Sequence, residues 1–307
     1  MSDADPARAA GARPAVPPAS RGREALRFGT IVVVGGGCYG SYYVRQLGRA
    51  AAAGALECRR VAVVDRDAGC QVGRALAGAA DAPAGGPPQP YATSPVAPEL
   101  HHFAAAGIDL SLIVRPWAEF LGAYLGGAAG SDGAGAAMPD DAIVPSPLMP
   151  HLLYEWLLER ARARWPGRTV RTVPLRRPPG TPWQRAAPDG THYVSFAEWI
   201  CPVNCVEPVR CPETRGPRDW SMPVALAAYA REEREAGHPI ADPVVFHCTH
   251  RAYGVGMIDV RDVLAADARL GEAARTSAVR LLVATASHCH GAANLLEIGE
   301  PTRAPFA

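Results

Sequence analysis

The sequence predicts an α/β fold with a mainly parallel sheet. Short apolar runs rich in β-branched residues, the first two at 30–34 and 60–64, alternate with segments whose apolar residues recur at helical spacing. Such an alternation is typical of parallel strands joined by helices that cover the faces of the sheet. With 307 residues, of which 48% are hydrophobic and 20% charged, the chain is long enough to bury one large core or two modest ones.

Each element follows from its local pattern. Strands are predicted at 30–34, 60–64, 110–114, 141–144, 168–174, 243–246 and 279–284. Helices are predicted at 41–53, 116–125, 151–165, 224–236 and 260–268. In the helix over 151–165, apolar side chains recur at helical spacing, namely those of Leu152, Leu153, Trp156, Leu157 and Ala161.

A glycine-rich loop follows the first predicted strand directly. Its sequence is Gly35-Gly36-Gly37-Cys38-Tyr39-Gly40, a predicted helix comes next, and the second strand ends in Asp65. Strand, Gly-x-Gly-x-x-Gly loop, helix and acidic strand end together resemble the Rossmann dinucleotide-binding family over about 30–67. The resemblance implies a doubly wound fold that binds NAD, NADP or FAD at this loop.

The resemblance also implies a physical task for each of these residues. Gly35 makes the tight turn, Gly37 lets the backbone approach a pyrophosphate, and Gly40 lets helix and strand pack closely. The N-terminus of the helix offers unpaired N–H groups to the same anion. Asp65 would accept hydrogen bonds from ribose hydroxyls, which favours NAD, whereas the adjacent Arg66 can hold the 2′-phosphate of NADP. Flavoproteins and the regulatory nucleotide domains of potassium transporters share the pattern, so it names no reaction.

Three short clusters concentrate cysteine and histidine. Three cysteines lie between 201 and 211, and two later motifs follow, His247-Cys248-Thr249-His250 and His288-Cys289-His290. Because transition metals prefer thiolates and imidazoles, we predict a metal or iron–sulfur centre. The candidate cysteine ligands are Cys201, Cys205, Cys211, Cys248 and Cys289. An imidazole of His247 or His290 is the alternative for the fourth ligand. The spacing matches neither paired zinc knuckles nor the bacterial ferredoxin run, so zinc and iron–sulfur both stay open.

Both His-Cys motifs follow predicted strands closely. If the strands are parallel, these motifs and the glycine loop share the edge along which open α/β sheets bind ligands. We therefore predict a composite site with the cysteine-rich segment folded over it. Neighbours in an extended segment point to opposite faces, so His288 and His290 are expected to share a face from which Cys289 points away. The candidate catalytic residues are His250 and His288, as proton carriers.

These features divide the chain into four parts. Residues 1–27, rich in Ala, Pro and Arg, are expected to form a disordered tail, and 28–177 the Rossmann-like dinucleotide-binding part. Residues 178–223 are rich in Pro, Trp and Cys and are predicted to form a loop-rich insertion. Residues 224–307 add the strands and helices that complete the sheet, and Ala/Gly/Pro-rich loops are expected at 78–98 and 126–139.

The charged residues narrow the range of functions. All 31 basic residues are arginine, which excludes a Schiff-base lysine, a Walker-type lysine and a Tyr-Lys dehydrogenase pair. A net charge of +1 gives no electrostatic case for nucleic acid or an anionic membrane. Arg215 and Arg218 are candidates for clamping an anionic substrate. No apolar run approaches the roughly 20 residues of a membrane span, and the N-terminus has no signal-peptide pattern, so a cytoplasmic protein is expected.

The function predicted from these observations is redox chemistry. We expect an oxidoreductase-like protein that binds NAD(P) or a flavin, carries the metal or iron–sulfur centre, and acts on a small-molecule substrate or redox partner. One alternative is a non-catalytic regulatory protein that senses nucleotide or redox state. The other is a zinc-stabilised α/β binding protein whose cysteines only pin the insertion.

Overall fold

The computed structural model describes residues 24–78, 97–127, 135–149, 151–199, 201 and 205–301. Most of the expected tail, residues 1–23, lies outside the described residues, as do 79–96 and 128–134 of the two expected loops. The first strand begins at Leu26, so the last two residues assigned to the tail belong to it.

Helices and strands alternate along the described residues. In chain order they are β1 (Leu26–Val34), α1 (Cys38–Ala52), β2 (Leu56–Asp65), α2 (Gln71–Leu76), α3 (Ala97–Ala105), β3 (Asp109–Val114), α4 (Trp117–Leu125), β4 (Ala142–Val144), α5 (Leu152–Arg164), β5 (Val170–Val173), β6 (Trp183–Ala186), β7 (His192–Ser195), α6 (Met222–Glu235), β8 (Ala241–His247), β9 (Thr249–Ala252), β10 (Val255–Asp259), α7 (Val260–Ala273), β11 (Val279–Ala286) and β12 (His290–Ile298). Every helix and strand predicted from the sequence is among them.

The first sheet has the strand order β3-β2-β1-β4-β10-β9. Its first four strands are parallel, and Val33 of β1 pairs with both Val63 and Val144. In contrast, β10 runs antiparallel to β4, and β9 antiparallel to β10. Ile31, Val32 and Val33 are all 0% exposed, because both faces of this sheet are covered.

The second sheet has the strand order β6-β7-β12-β11-β8, and β5 pairs with the second half of β12. Within this sheet the β8–β11 pair is parallel and the other pairs are antiparallel. Since β8 and β11 are parallel neighbours, their carboxyl ends meet, and His247 pairs with Ala286 there. Residues 224–307 therefore supply strands to both sheets.

The two sheets share a layer of helices. Leu157 of α5 and Val263 of α7 lie in one core with Val32 of β1 and Val283 of β11, so these helices lie between the sheets. The helix α1 covers the other face of the first sheet, and α6 the other face of the second. Of the helices that the structure describes, none is long and apolar enough to cross a membrane.

The prediction of an α/β fold is confirmed, whereas that of a mainly parallel sheet is wrong, because both sheets are mixed. Three of the antiparallel pairs are hairpins, β6–β7, β9–β10 and β11–β12, and the others join segments far apart in the chain, such as β4 with β10. Between β9 and β10, Tyr253 and Gly254 have φ values of 46° and 84°, the pair of positive values that a two-residue hairpin turn favours. Gly190, with φ 88°, lies in the turn between β6 and β7. This hairpin lies within the segment predicted to be a loop-rich insertion.

Candidate functional site

The glycine loop connects β1 to α1. Gly35 has φ of +90°, a backbone conformation that other residues adopt only with strain. A Cβ on Gly37 would meet no atom within 4 Å, so the backbone is open to an approaching ligand at this position. A Cβ on Gly40 would overlap the carbonyl oxygen of Gly35. The three glycines thus have the conformation and clearances that the resemblance implies.

Asp65 is buried at the end of β2 and organises this loop. Its Oδ2 accepts the backbone N–H of Gly36 at 2.7 Å, and its Oδ1 accepts that of Asp67 at 2.9 Å. The carboxylate is therefore held beside the loop, where each oxygen keeps a lone pair that a ribose hydroxyl could use. Trp117, which the sequence analysis did not single out, donates its indole N–H to the Val64 carbonyl at 2.9 Å and lies against Gly35.

An open cleft of about 590 Å³ lies between α1 and the cysteine-rich segment. We refer to it as the cleft. Its lining residues are Tyr39, Tyr43, Pro147, Trp183, Ser195, Ala197, Glu198, Trp199, Cys201, Cys205, Glu207, His250, Ser287, Cys289 and His290. Tyr39 and Tyr43 belong to the helix that follows the glycine loop. The cleft therefore joins that helix to residues from all three sequence clusters.

Hydrogen-bond donors face several of the cysteine sulfurs. The backbone N–H of Glu207 donates to Cys205 Sγ at 3.4 Å, and the indole N–H of Trp220 donates to Cys289 Sγ at 3.3 Å. Backbone N–H groups of the following turn lower the pKa of Cys211. N–H donors of this kind stabilise a thiolate and tune metal-bound sulfur.

Burial has the opposite effect on two of the cleft cysteines. It raises the pKa of Cys201 to about 11 and that of Cys289 to about 12. Both are therefore protonated thiols at neutral pH, and a metal cation would have to displace their protons on binding. Cys211 does not line the cleft but lies close enough to contribute to the raised pKa of Cys201.

His290 contacts a cysteine directly. Its Nε2 lies 3.3 Å from Cys201 Sγ, and its Nδ1 lies 2.9 Å from Ser195 Oγ. Burial lowers the pKa of His290 and also that of His250, so both rings are neutral at pH 7. Neutral imidazoles can bind a metal or accept a proton.

Glu207 is the buried acid at the floor of the cleft. Its carboxylate accepts the backbone N–H groups of His288 and Cys289 at 3.2 and 3.1 Å and faces His250 Nδ1 at 3.6 Å. Burial opposes its ionisation, but the Ser287 hydroxyl, the His250 ring and the two amides outweigh it, so its pKa is lowered. Its φ of 47° is in the left-handed region, which is uncommon for a residue with a side chain.

His288 lies outside the lining of the cleft, whereas Cys248 lines an adjoining cavity that shares His250 and His290 with the cleft. His288 Nδ1 lies 3.1 Å from Ser221 Oγ, and its ring packs edge-to-face on His247 with centroids 4.7 Å apart. The expectation that His288 and His290 share a face, with Cys289 pointing away, is wrong, because 287–289 form a turn between β11 and β12 rather than an extended strand. Cys248 lies against Gly256, because a Cβ added to this glycine would come within 2.5 Å of the Cys248 sulfur.

The two arginines that follow the cysteines differ from the predicted clamp. Arg218 donates from Nη2 to the Glu207 carbonyl at 2.9 Å and from Nε to the Pro208 carbonyl at 3.2 Å. Arg215 has a left-handed φ of 55° in the turn that follows Cys211, and its N–H donates to the Cys211 carbonyl. Arg218 therefore holds the backbone that carries Glu207.

The sulfur and nitrogen donors in the cleft are of the types that transition metals prefer, but the cysteine and histidine side chains do not converge on one point. Across the described ranges, no three or more His, Cys, Asp or Glu side chains form a group that could hold a single metal ion. Cys201 and His290 are in direct contact, and Cys205 and Cys289 line the same cleft.

The fold and this cleft define an α/β protein with a cysteine- and histidine-lined site. Residues 153–299 match the family model AF_1314_C, described as the C-terminal domain of an uncharacterized protein. The matched segment contains all five predicted cysteine ligands but not the glycine loop. Searches of curated proteins and of solved structures gave no match.

Proposed function

We propose that this protein is a Rossmann-type, NAD(P)- or flavin-binding oxidoreductase-like protein that holds a metal or iron–sulfur centre in the cleft. The observation that carries the proposal is the shared lining of the cleft. Tyr39 and Tyr43, on the helix after the glycine loop, line it together with three cysteines, Cys201, Cys205 and Cys289. A nucleotide on the loop and a centre in the cleft would therefore be neighbours.

The first sheet supports the nucleotide half of the proposal. Its parallel strands have the order β3-β2-β1-β4, which is the order of the first half of a doubly wound dinucleotide-binding fold. The left-handed Gly35, the open approach to Gly37 and the close contact at Gly40 fit a pyrophosphate-binding loop. The cleft lies beyond the carboxyl end of β4, where Pro147 lines it.

The sulfur environment supports the metal half. Trp220 donates to Cys289 and the Glu207 backbone donates to Cys205, as outer hydrogen bonds do around metal-bound sulfur. A bound iron–sulfur centre would supply one-electron transfer between a reduced flavin on the loop and a partner, because a flavin, unlike NAD(P)H, can release its two electrons singly. The chain's own residues would hold that centre and manage protons around it.

Glu207 and His250 are the residues that can move a proton in the cleft. The His250 ring is neutral at pH 7 and its Nδ1 faces the ionised Glu207 at 3.6 Å, so a proton taken up by His250 is stabilised by the adjacent charge. His288, the second candidate proton carrier, is hydrogen-bonded to Ser221 outside the lining of the cleft. We therefore assign the role to His250.

Metal analysis of anaerobically purified protein tests the metal half. We expect stoichiometric iron with acid-labile sulfide and visible absorbance, and loss of both in Cys201→Ser and Cys289→Ser. Cys58→Ser is the matched control, because Cys58 lies in β2, outside the lining of the cleft. Wild-type protein without metal, or metal content unchanged in both cleft variants, would remove this half of the proposal.

Nucleotide binding tests the other half. NAD⁺, NADP⁺ and FAD are titrated by calorimetry against wild type, Gly37→Leu and Gly122→Leu. Both glycines have open space where a Cβ would lie, so both variants are expected to fold, but only Gly37→Leu blocks the approach of a pyrophosphate. Absence of binding by all three nucleotides contradicts the nucleotide half. Anaerobic reduction of the centre by NAD(P)H in the presence of FAD, which accepts hydride and releases single electrons, then distinguishes a redox protein from a sensor.

One observation favours the alternative of a structural zinc site. Cys211 anchors a tight turn, in which its N–H and carbonyl bond to Gly216 and Arg215, and it does not line the cleft. A cysteine in such a turn can hold a segment in place as a ligand of a structural zinc ion, without taking part in a reaction. Colourless protein with stoichiometric zinc and no nucleotide binding would support this alternative.

A further inference from the structure

We propose that His290 Nε2 and Cys201 Sγ bind the same metal ion, so that the centre has a mixed nitrogen and sulfur ligand set. This inference rests on the proposed function and adds one specific ligand to it. The two atoms are 3.3 Å apart and both residues line the cleft.

Hydrogen bonding determines which ring nitrogen of His290 can act as a ligand. Ser195 Oγ donates its proton to the Ala197 carbonyl at 2.8 Å and accepts the Ala197 N–H at 2.9 Å. With the hydroxyl proton directed at the Ala197 carbonyl, His290 Nδ1 supplies the proton of the 2.9 Å bond that joins it to Ser195, and this tautomer is the one that the proposal requires. In the neutral ring, Nε2 then carries no proton, and its lone pair is on the side of Cys201.

The spacing of the two atoms fits a shared metal ion. With metal–sulfur and metal–nitrogen bonds of about 2.3 and 2.0 Å, two ligands of a tetrahedral ion lie roughly 3.5 Å apart. The observed Nε2–Sγ distance of 3.3 Å is close to this value, so a metal needs little rearrangement of the pair.

Ser195 has the position of an outer residue that orients a metal-binding histidine. Metal-bound histidines usually donate their other ring N–H to a fixed acceptor, which orients the ring. Ser195 is buried and is itself fixed by both backbone groups of Ala197. The His290 ring is thus oriented before any metal binds.

The other histidines near the cleft lack this arrangement. His250 directs Nδ1 at Glu207, and its Nε2 lies against Gly256, where a Cβ would come within 3.2 Å of it. His288 is hydrogen-bonded to Ser221 and packs on His247 outside the lining of the cleft. His290 is therefore the histidine with a lone pair directed at a cysteine sulfur.

A neutral imidazole in place of a thiolate changes the electronics of the centre. It makes the net charge of the ligand set more positive by one unit, which raises the reduction potential of an iron–sulfur centre. The ligand assignment therefore predicts that His290→Cys, which restores a thiolate, lowers that potential.

X-ray absorption at the metal edge tests the assignment, whether the protein as purified holds iron or zinc. Wild type is expected to show sulfur neighbours near about 2.3 Å and an imidazole nitrogen near about 2.0 Å. The nitrogen contribution should disappear in His290→Ala and remain in the matched control His250→Ala. If His290→Ala loses its metal, His290→Cys is expected to retain it with sulfur neighbours alone.

Chelator competition tests the positioning role of Ser195. Ser195→Ala should keep the nitrogen neighbour but bind the metal about 10–100-fold more weakly, because the ring loses its fixed acceptor. Metal with an all-sulfur shell in wild type, or a nitrogen neighbour that survives in His290→Ala, overturns this inference alone. Wild-type protein without metal overturns the proposed metal centre as well.

Discussion

The substitution Glu207→Gln is expected to destabilise the floor of the cleft. One carboxylate oxygen of Glu207 accepts the Cys289 N–H at 3.1 Å and the other accepts the His288 N–H at 3.2 Å. Glutamine offers one acceptor oxygen, so its amide N–H groups would face one of these backbone donors. The Cys289 N–H would keep the Ser287 Oγ at 3.2 Å as an acceptor, whereas the His288 N–H, if it faced the amide group, would lose the acceptor that Glu207 provides.

The size of the effect follows from these contacts. A hydrogen bond to a charged group contributes about 1.5–3 kcal/mol, and a buried donor left unsatisfied adds to its loss, so about 3 kcal/mol is expected for Glu207→Gln. For a chain of 307 residues such a loss lowers Tm by roughly 5 °C. Neutralising the charge that faces His250 also removes the stabilisation of a protonated ring there.

Glu198→Gln is the matched control for this measurement. Glu198 also lines the cleft and carries the same charge, but it is exposed. Its substitution is expected to change stability by less than about 0.5 kcal/mol. Both variants are unfolded by heat and by urea at pH 7 in the same buffer, with circular dichroism as the signal. Equal stability losses in the two variants, or no loss in Glu207→Gln, would refute the assignment of Glu207 as an anchored, buried carboxylate.

Three further predictions concern separate parts of the structure. In Gly40→Ala the new Cβ would overlap the Gly35 carbonyl oxygen, so the free energy of unfolding should fall by about 1–3 kcal/mol or more. The control Gly122→Ala, in α4, should raise the free energy of unfolding by about 0.5–1 kcal/mol. Urea unfolding that gave the opposite order of stabilities would contradict the close packing at the loop. Cys248→Ala should leave the metal content unchanged, because Cys248 lies against Gly256 in the adjoining cavity and not in the lining of the cleft itself; a loss of metal would place it among the ligands. Arg251 donates hydrogen bonds to Asp259 and thereby lowers the pKa of this carboxyl group in the folded state. The contribution of Asp259 to stability is therefore fully present above the pKa that it has in the unfolded chain, and it is lost as the pH falls through the lower pKa of the folded state. The difference in unfolding free energy between wild type and Asp259→Asn should therefore be constant from about pH 8 to 5 and shrink below about pH 4, and a constant difference down to pH 2 would contradict this.

Local sequence was sufficient for most of the longer elements and for the glycine loop, although α2 and the strands β6, β7, β9, β10 and β12 were not predicted. Gly35, Gly37 and Gly40 lie within six residues, and their turn, clearance and close contact depend on the backbone of the same loop. The helices and parallel strands were predictable because each has its own apolar periodicity. Three hairpins were missed, β6–β7, β9–β10 and β11–β12. The first two have a local signal, Asp189-Gly190 in one and Tyr253-Gly254 in the other.

The partition of the strands into two sheets was beyond local pattern. The strands β8 and β9 are separated by Cys248 alone, yet they belong to different sheets. Strand pairing is decided by hydrogen bonds between distant segments, such as β1 with β4 across more than a hundred residues, and single-sequence periodicity contains no information on such partners.

The sequence by itself determined the chemistry available to this protein: a glycine loop, sulfur and imidazole donors, and no lysine. Only the tertiary structure decided which of those donors meet. It brings His290 to Cys201 across 89 positions and Glu207 to Cys289 across 82, while Cys248 lines an adjoining cavity and His288 lies outside the cleft. The physical reason is that the turn after β11 and the left-handed backbone at Glu207 set the directions of these side chains, and both depend on contacts between segments far apart in the chain.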